Sequence, residues 1–145
     1  MVFFERWFNS APFPDAEYIT NDRGKKFWIN WTTHFGSGPR LDVYHRGRRI
    51  GTVESIWNEE EGLDLADIII FERYCKLRQH GLGKAMMKTF IDGVKKQGAR
   101  HIWGFIQPHE GSTKEYLIDW YKRQGFVVYE AKPGIYHVLL KLRDD

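Results

Sequence analysis

Hydrophobic and polar residues along residues 40–145 recur with two different periods, one typical of strands and one typical of helices. A period of two residues predicts a hairpin over 41–57, with its turn at Arg46-Gly47. The stretch 63–71 is rich in isoleucine and apolar at most positions, as expected of a central strand covered on both faces. The hairpin and this strand together predict the middle of a sheet.

Apolar side chains recur at helical spacing over 81–97, which predicts an amphipathic helix that stops at Gly98. A second helix is predicted from Ser112 to about residue 124, because Ser112 and Glu115 have the spacing of a capping box. Further strands are predicted at 101–106, 126–129 and 135–142. This order of elements predicts an α/β (α+β) fold, a mixed sheet flanked by helices.

The first 39 residues have a different pattern, in which aromatic and β-branched residues are interrupted by Pro12 and Pro14. The sequence Asn21-Asp22-Arg23-Gly24 is typical of a turn. We therefore predict strands and a turn in this segment, and a helix through Trp28 and Trp31 is the less favoured alternative.

Length and composition limit the class of protein. A chain of 145 residues with 42% hydrophobic residues predicts one domain, 1–145. The single cysteine, Cys75, excludes an internal disulfide. The longest apolar run, 68–71, is far too short to span a bilayer, and no signal-peptide pattern is present, so we expect a cytoplasmic protein without a membrane partner. The six histidines lack the spacing of a zinc site, so we predict no metal.

A glycine-rich turn, Arg78-Gln79-His80-Gly81-Leu82-Gly83-Lys84, separates the predicted central strand from its helix. The first turn of a helix has N–H groups without internal partners, and small residues let an anion approach them. A P-loop would require glycine at Arg78, and the dinucleotide fingerprint would require glycine at Met86. The turn therefore indicates a different phosphate-binding loop, unless its glycines serve packing alone.

The spacing R-x-x-G-x-G at 78–83 resembles the coenzyme A signature of the GNAT acyltransferase superfamily. A second family signature is similar to Trp120-Tyr121-Lys122-Arg123-Gln124-Gly125-Phe126, and the hairpin with Ile50-Gly51 resembles the family's second and third strands. The resemblance covers about 40–142.

The resemblance implies that acetyl-CoA is bound beside the central strand. Backbone groups near Phe71 and Arg73 would hold its pantetheine arm, and the amides of the glycine-rich turn would hold its pyrophosphate. The implied coenzyme-binding set is Phe71, Arg73, Arg78, Gln79, His80, Gly81, Leu82, Gly83 and Lys84.

The resemblance also implies catalytic roles. Tyr121 would protonate the leaving thiolate, and Asp67 would take the proton of the attacking amine, with Glu54 and Glu72 in reserve. Each residue has a structural alternative, because Tyr121 also suits a core position and Asp67 also suits a bonded strand aspartate.

The chain departs from the family in two places. Lys114 stands where many members have an asparagine that contacts the coenzyme, for which Ser112 could substitute. Residues 9–39 are strand-rich where the family has two helices that wall the acceptor pocket. The acceptor is therefore unidentified; His109 and Glu110 could line its pocket, and Cys75 lacks a local histidine that would mark it as a nucleophile.

The leading hypothesis is an acetyl-CoA-dependent N-acyltransferase whose acceptor is an amine on a small molecule or a protein, with a homodimer left open. A non-catalytic acyl-CoA-binding or interaction module of the same fold is the alternative, suggested by the aromatic N-terminal segment. Nucleic-acid binding agrees with the net charge of +3 but is disfavoured by the acidic residues 59–61.

Overall fold

The computed structural model describes residues 11, 14–33, 38–58, 62–70, 80–107 and 113–143. It contains these strands and helices: β1 Glu17–Thr20, β2 Lys26–Thr33, β3 Pro39–His45, β4 Arg48–Trp57, β5 Leu63–Ile70, α1 Leu82–Lys96, β6 His101–Phe105, α2 Lys114–Arg123, β7 Val127–Lys132 and β8 Ile135–Lys141. The predicted mixed sheet with flanking helices is confirmed, including the order of elements that follows β2.

All eight strands form one sheet in the order β1-β2-β3-β4-β5-β6-β8-β7. Only β5 and β6 pair in parallel, because the helix α1 connects them; the other neighbours are antiparallel. The strand β5 therefore lies between an antiparallel neighbour and a parallel one, in the interior of the sheet as predicted.

The N-terminal segment adds a hairpin to this sheet, which confirms strands there and shows that the alternative helix through Trp28 and Trp31 is wrong. The turn between β1 and β2 is closed by Asn21, whose Oδ1 accepts the N–H groups of Arg23 at 3.0 Å and Lys25 at 2.9 Å. The strand β2 pairs with β3 from Trp28 opposite Tyr44 to Thr33 opposite Pro39. A strand pair thus occupies the place in the chain where the resemblance implied two helices.

The core lies between α1 and one face of β2, β3 and β4. Phe27, Leu41 and Val53 are fully buried on this face, and their cross-strand neighbours are apolar too. The apolar stripe of α1 packs against them through Leu82, Met86, Met87, Phe90 and Val94. The Trp31 and Phe90 rings stack at 5.9 Å, and a Cβ at Gly93 would overlap the Trp31 indole. Glycine at 93 therefore lets the helix approach the sheet closely.

The start of α2 differs by one residue from the prediction. Thr113, and not Ser112, is the N-cap, and its hydroxyl accepts the N–H of Tyr116 at 3.1 Å. Glu115 therefore occupies the second position of the helix, one short of the position that a capping box requires. The capping-box prediction is wrong because the neighbouring threonine supplies the same oxygen one residue later.

His45 ends β3 in a half-buried position against the Phe27 ring, with ring centroids 5.2 Å apart. Burial, together with the positive charges of Lys25 and Arg46, lowers the pKa of His45 to about 4. This imidazole is therefore neutral at pH 7. In the described part of the chain, neither helix has the length and apolar composition needed to cross a membrane.

Candidate functional site

The parallel strands β5 and β6 separate soon after they meet. Their ladder consists of two pairs, Leu63 with Ile102 and Asp64 with Trp103, although β5 continues to Ile70 and β6 to Phe105. Beyond Asp64 the edge of β5 that faces β6 has no strand partner among the described residues, while its other edge is paired with β4 as far as Ile70. The sheet thus opens at the carboxyl end of this parallel pair and leaves backbone groups available to an extended ligand.

The two strands are followed by helices that pack against different parts of the sheet. After β5 the chain enters α1, which packs over β1, β3 and β4, and after β6 it enters α2, which packs beside β7. In sheets with parallel strands, ligands bind at the carboxyl ends of strands whose connections diverge in this way. The topology therefore places a binding crevice between β5 and β6.

The N-terminus of α1, the helix that follows β5 in the chain, is not capped by a side chain from the described residues. Its N-cap is Gly81, with a φ of 78° that strongly favours glycine. The first intrahelical bond runs from the Ala85 N–H to the Gly81 carbonyl, 3.0 Å apart. The N–H groups of Leu82, Gly83 and Lys84 therefore lack acceptors within the helix, and the helix dipole makes this end partly positive.

Two side chains near this helix end, those of Leu82 and Trp120, determine how a ligand can reach its amides. The side chain of Leu82 is fully buried, so only its backbone can face a ligand. A Cβ at Gly83 would lie 3.6 Å from the Trp120 indole of α2, which is an ordinary contact. The start of α1 thus lies beside Trp120 of α2. This donor set fits a diphosphate, because it combines free amides with the exposed ammonium of Lys84.

Asp22, a residue that the sequence analysis did not single out for the site, reaches this helix end from the turn between β1 and β2. Its carboxylate lies 2.9 Å from the Lys84 ammonium, and a Cβ at Gly81 would overlap that carboxylate. The Asp22 N–H donates to the His80 carbonyl at 2.6 Å. No local signal could have predicted this contact, because Asp22 belongs to an ordinary polar turn far from α1 in the sequence.

Of the predicted coenzyme-binding residues, the structure brings together those from His80 to Lys84 at the start of α1. The other predicted residues of this loop lie outside the described residues: Phe71, Arg73, Arg78 and Gln79. Five secondary candidates also lie outside them: Glu72, Cys75, His109, Glu110 and Ser112.

Tyr121 is held in the core on α2, with 7% of its surface exposed. Its ring makes edge contacts with Trp120 at 5.1 Å and Phe126 at 5.4 Å between centroids. Trp120 lies beside Gly83 at the start of α1, and Tyr121 is the next residue of α2. The structural role that the sequence left open for Tyr121 is therefore present, on the helix that flanks the candidate site.

Asp67 occupies the register position on β5 that faces Glu54 on β4, and Glu54 in turn faces Arg40 on β3. Facing residues of antiparallel strands share one face of the sheet, so these three residues form a polar row. The row lies on the face opposite α1. In the pairing of β4 with β5, Ala66 has no partner, which indicates a β-bulge next to Asp67. Bulges change the direction of neighbouring side chains and are frequent near active sites.

One charged residue next to this row, Asp42, is buried on the same face. The Asp42 carboxylate, with 2% of its side chain exposed, lies 3.1 Å from the Arg40 guanidinium and 3.5 Å from that of Arg49. Several buried polar atoms of this face have no hydrogen-bond partner among the described residues: Thr32 Oγ1, Arg40 Nε, Asp42 Oδ1 and Thr52 Oγ1. Asp42 Oδ1 is the oxygen that faces the Arg49 guanidinium.

Lys114, which replaces the asparagine of many family members, is engaged elsewhere. Its ammonium lies 5.0 Å from the centroid of the Tyr136 ring on β8, a cation–π contact. No group of three histidine, cysteine or acidic residues in the described ranges is arranged to hold a metal ion.

Solved structures share this architecture at low sequence identity. The GNAT domain of PAT from S. lividans has a TM-score of 0.71 at 10% identity, covering 89% of this chain and 99% of that chain. The ribosomal-protein-S18-alanine N-acetyltransferase from Escherichia coli has a TM-score of 0.57 at 16% identity, covering 73% and 70%. The PaiA N-acetyltransferase from Thermoplasma acidophilum, solved in complex with coenzyme A, has a TM-score of 0.56 at 17% identity, covering 70% and 59%.

These structural similarities, at 10–17% identity, show the fold alone. The family is shown by a comparison of the sequence. No curated protein matches the sequence. Residues 2–126, however, match the sequence profile of the Acetyltransferase (GNAT) family. This match spans most of the chain and includes the crevice, the uncapped helix end and the first motif of the resemblance. The chain therefore belongs to the GNAT acetyltransferase family.

Proposed function

We propose that the protein is an acetyl-CoA-dependent N-acyltransferase that transfers an acetyl group to an amine by direct attack in a ternary complex. The observation that carries this proposal is the uncapped N-terminus of α1, the helix that follows β5 in the chain, together with the short ladder between β5 and β6. The first feature suits a diphosphate, and the second suits an extended arm that ends in a thioester.

The coenzyme would be held mainly by backbone groups. Its diphosphate would accept the N–H groups of Leu82, Gly83 and Lys84, with the Lys84 ammonium adding positive charge. Its pantetheine arm would pair with the free edge of β5 beyond Asp64. We retain His80 and Gly81 in the coenzyme-binding set, together with the predicted loop residues Phe71, Arg73, Arg78 and Gln79.

The reaction requires two proton transfers. The amine nitrogen forms a bond to the thioester carbon, and the carbon–sulfur bond then breaks and leaves a thiolate. An alkyl ammonium has a pKa of about 10.4 and attacks only after it loses a proton. Asp67 would accept that proton, directly or through water and Glu54, which faces it across the strands. Tyr121 would give a proton to the thiolate.

The acceptor would approach from the sheet face opposite α1, since Asp67 and Glu54 lie on that face. The charged residues Asp67, Glu54 and Arg40 follow one another across this face in the strand register. A polar amine rather than an apolar one is therefore the expected acceptor class. The E. coli relative, named as an alanine N-acetyltransferase, supports an amine acceptor in general.

A thiol-release assay tests this function. The full chain is mixed with acetyl-CoA and a panel of amines, and free thiol is measured over time. We expect release that depends on one class of amine, a loss of about 100-fold in kcat for Asp67→Asn and a loss of about tenfold for Tyr121→Phe, with coenzyme affinity retained in both. Turnover in Asp67→Asn equal to that of the unmodified protein would remove Asp67 from the mechanism.

A non-catalytic acyl-CoA-binding module is the second candidate, because Tyr121 packs as a core aromatic between Trp120 and Phe126. The same assay separates the two functions. Binding of acetyl-CoA without amine-dependent release of thiol, over the whole panel, would favour the module.

A further inference from the structure

The carboxylate of Asp22 lies beside the start of α1, against the Lys84 ammonium. It pairs with Lys84 at 2.9 Å and approaches Gly81 so closely that any side chain at 81 would overlap it. Both partners belong to the end of the helix that lacks a side-chain cap. Asp22 therefore supplies, from a distant turn, the negative charge that this helix end attracts.

The turn that carries Asp22 is held firmly in this position. The Asn21 side chain, in a residue with 6% exposure, accepts two N–H groups of the same turn, those of Arg23 and Lys25. The Asp22 N–H donates to the His80 carbonyl at 2.6 Å. These bonds fix the backbone of the turn, and the carboxylate itself remains free to rotate away without breaking them.

We propose that Asp22 is an internal competitor of the coenzyme: its carboxylate pairs with the Lys84 ammonium at the start of α1 and lowers the affinity for the diphosphate. This inference rests on the proposed function, because it requires that the diphosphate binds there. On binding, the diphosphate would take over the Lys84 ammonium, and the Asp22 side chain would turn toward solvent.

The exposure of the ion pair sets the size of the effect. The side chains of Lys84 and Asp22 are 58% and 57% exposed, so solvent screens their attraction and a ligand can displace it easily. Removing the carboxylate should therefore tighten coenzyme binding by about five- to tenfold, through the loss of both the competition and the repulsion between like charges.

Isothermal titration calorimetry on the full chain tests this proposal with coenzyme A and 3′-dephospho-coenzyme A. Asp22→Asn keeps the shape of the side chain and removes its charge. Asp92→Asn makes the same change on an exposed aspartate of α1, far along the helix from the first turn. We expect both coenzymes to bind about five- to tenfold more tightly to Asp22→Asn, and Asp92→Asn to stay within about twofold of the unmodified protein.

The outcomes separate this inference from the function on which it rests. Coenzyme binding by the unmodified protein, with the same or weaker binding by Asp22→Asn, overturns the inference alone. A gain for coenzyme A that is absent for the 3′-dephospho form also overturns it, since Asp22 would then oppose the 3′-phosphate. Failure of every variant to bind either coenzyme overturns the proposed function as well. Asp22→Ser repeats the test if thermal unfolding shows that Asp22→Asn is not folded.

Discussion

The two helices among the described residues begin in opposite ways. The N-cap of α2, Thr113, bonds the Tyr116 amide through its own hydroxyl, and Glu115 places a carboxylate in the first turn. The N-cap of α1, Gly81, has no side chain, and the first turn of α1 contains no acidic residue. The start of α2 is satisfied by residues of its own sequence. The start of α1 leaves its amides to a group from elsewhere in the chain or to a ligand.

Equivalent positions make this contrast testable. Gly83 in α1 and Glu115 in α2 are both the second residue of their helix. Negative charge near a helix N-terminus is favourable whichever group supplies it. A helix N-terminus that has no negative side chain of its own is therefore suited to bind an anion. One that already has a negative side chain is not. The predictions below alter one helix end at a time, in order of decreasing effect.

Gly83→Glu should give the first turn of α1 the charge that α2 already has. We expect coenzyme affinity to fall by about 100-fold or more, because a carboxylate would occupy the amides that the diphosphate needs, while the melting temperature stays the same or rises. Calorimetry and thermal unfolding measure the two effects. Gly83→Ala is the control for size, since its Cβ would make only an ordinary contact with Trp120, and its affinity should stay within about threefold.

Lys84→Ala should weaken coenzyme binding by about tenfold, because one exposed cation is removed from the anion position. Its effect on stability should be below about 1 kcal/mol, since the ion pair with Asp22 is largely exposed. Lys88→Ala, a similar change on an exposed residue one turn later, should leave affinity unchanged. Equal losses in the two variants would show that general positive charge, and not the helix end, attracts the ligand.

Thr113→Ala should have the reverse profile, with an effect on stability and none on coenzyme binding. Loss of the cap should lower the free energy of unfolding by about 1 kcal/mol and the melting temperature by about 3 °C. Thr113→Ser keeps the hydroxyl and should retain most of the stability. A clear loss of coenzyme affinity in Thr113→Ala, with the protein still folded, would contradict the separation of roles between the two helices.

The smallest expected effect is a dependence of the protein's stability on pH, caused by His45. The pKa of His45 is lowered to about 4 in the folded protein, below its ordinary value near 6.5, so the unfolded chain binds more protons between these two values. Stability should therefore be highest above pH 6.5 and fall as the pH decreases toward 4. In His45→Gln this acid loss should be smaller by about 1 kcal/mol, a figure reduced for solvent screening. Urea unfolding at pH 7 and pH 4.5 measures it.

The sequence predicted the elements well where local chemistry decides them. The glycines at 81 and 98 limit α1, and the period of two residues defines the strands on either side of Arg46-Gly47. The error at the start of α2 has the same local origin, because Ser112 and Thr113 are adjacent and chemically equivalent as caps. Only the backbone geometry decides which hydroxyl reaches the Tyr116 amide.

The candidate site was predictable only in part, because its remaining features are contacts between distant segments. The motif at 78–83 predicted the helix end, but no local pattern shows that β5 and β6 separate after Asp64. The approach of Asp22 to Gly81 depends on how the N-terminal hairpin joins the sheet. The catalytic roles of Tyr121 and Asp67 stay predictions that the activity assay must test.

Titration of the ¹⁵N-labelled protein with coenzyme A, followed by two-dimensional ¹H–¹⁵N NMR, tests the central claim most directly. We predict that the amide resonances of Leu82, Gly83 and Lys84 shift strongly and saturate together, while those of Lys114, Glu115 and Tyr116 at the capped helix stay in place. Saturable binding in which the first group is unmoved, or in which the second group moves more, would contradict the claim that the uncapped end of α1 binds the diphosphate.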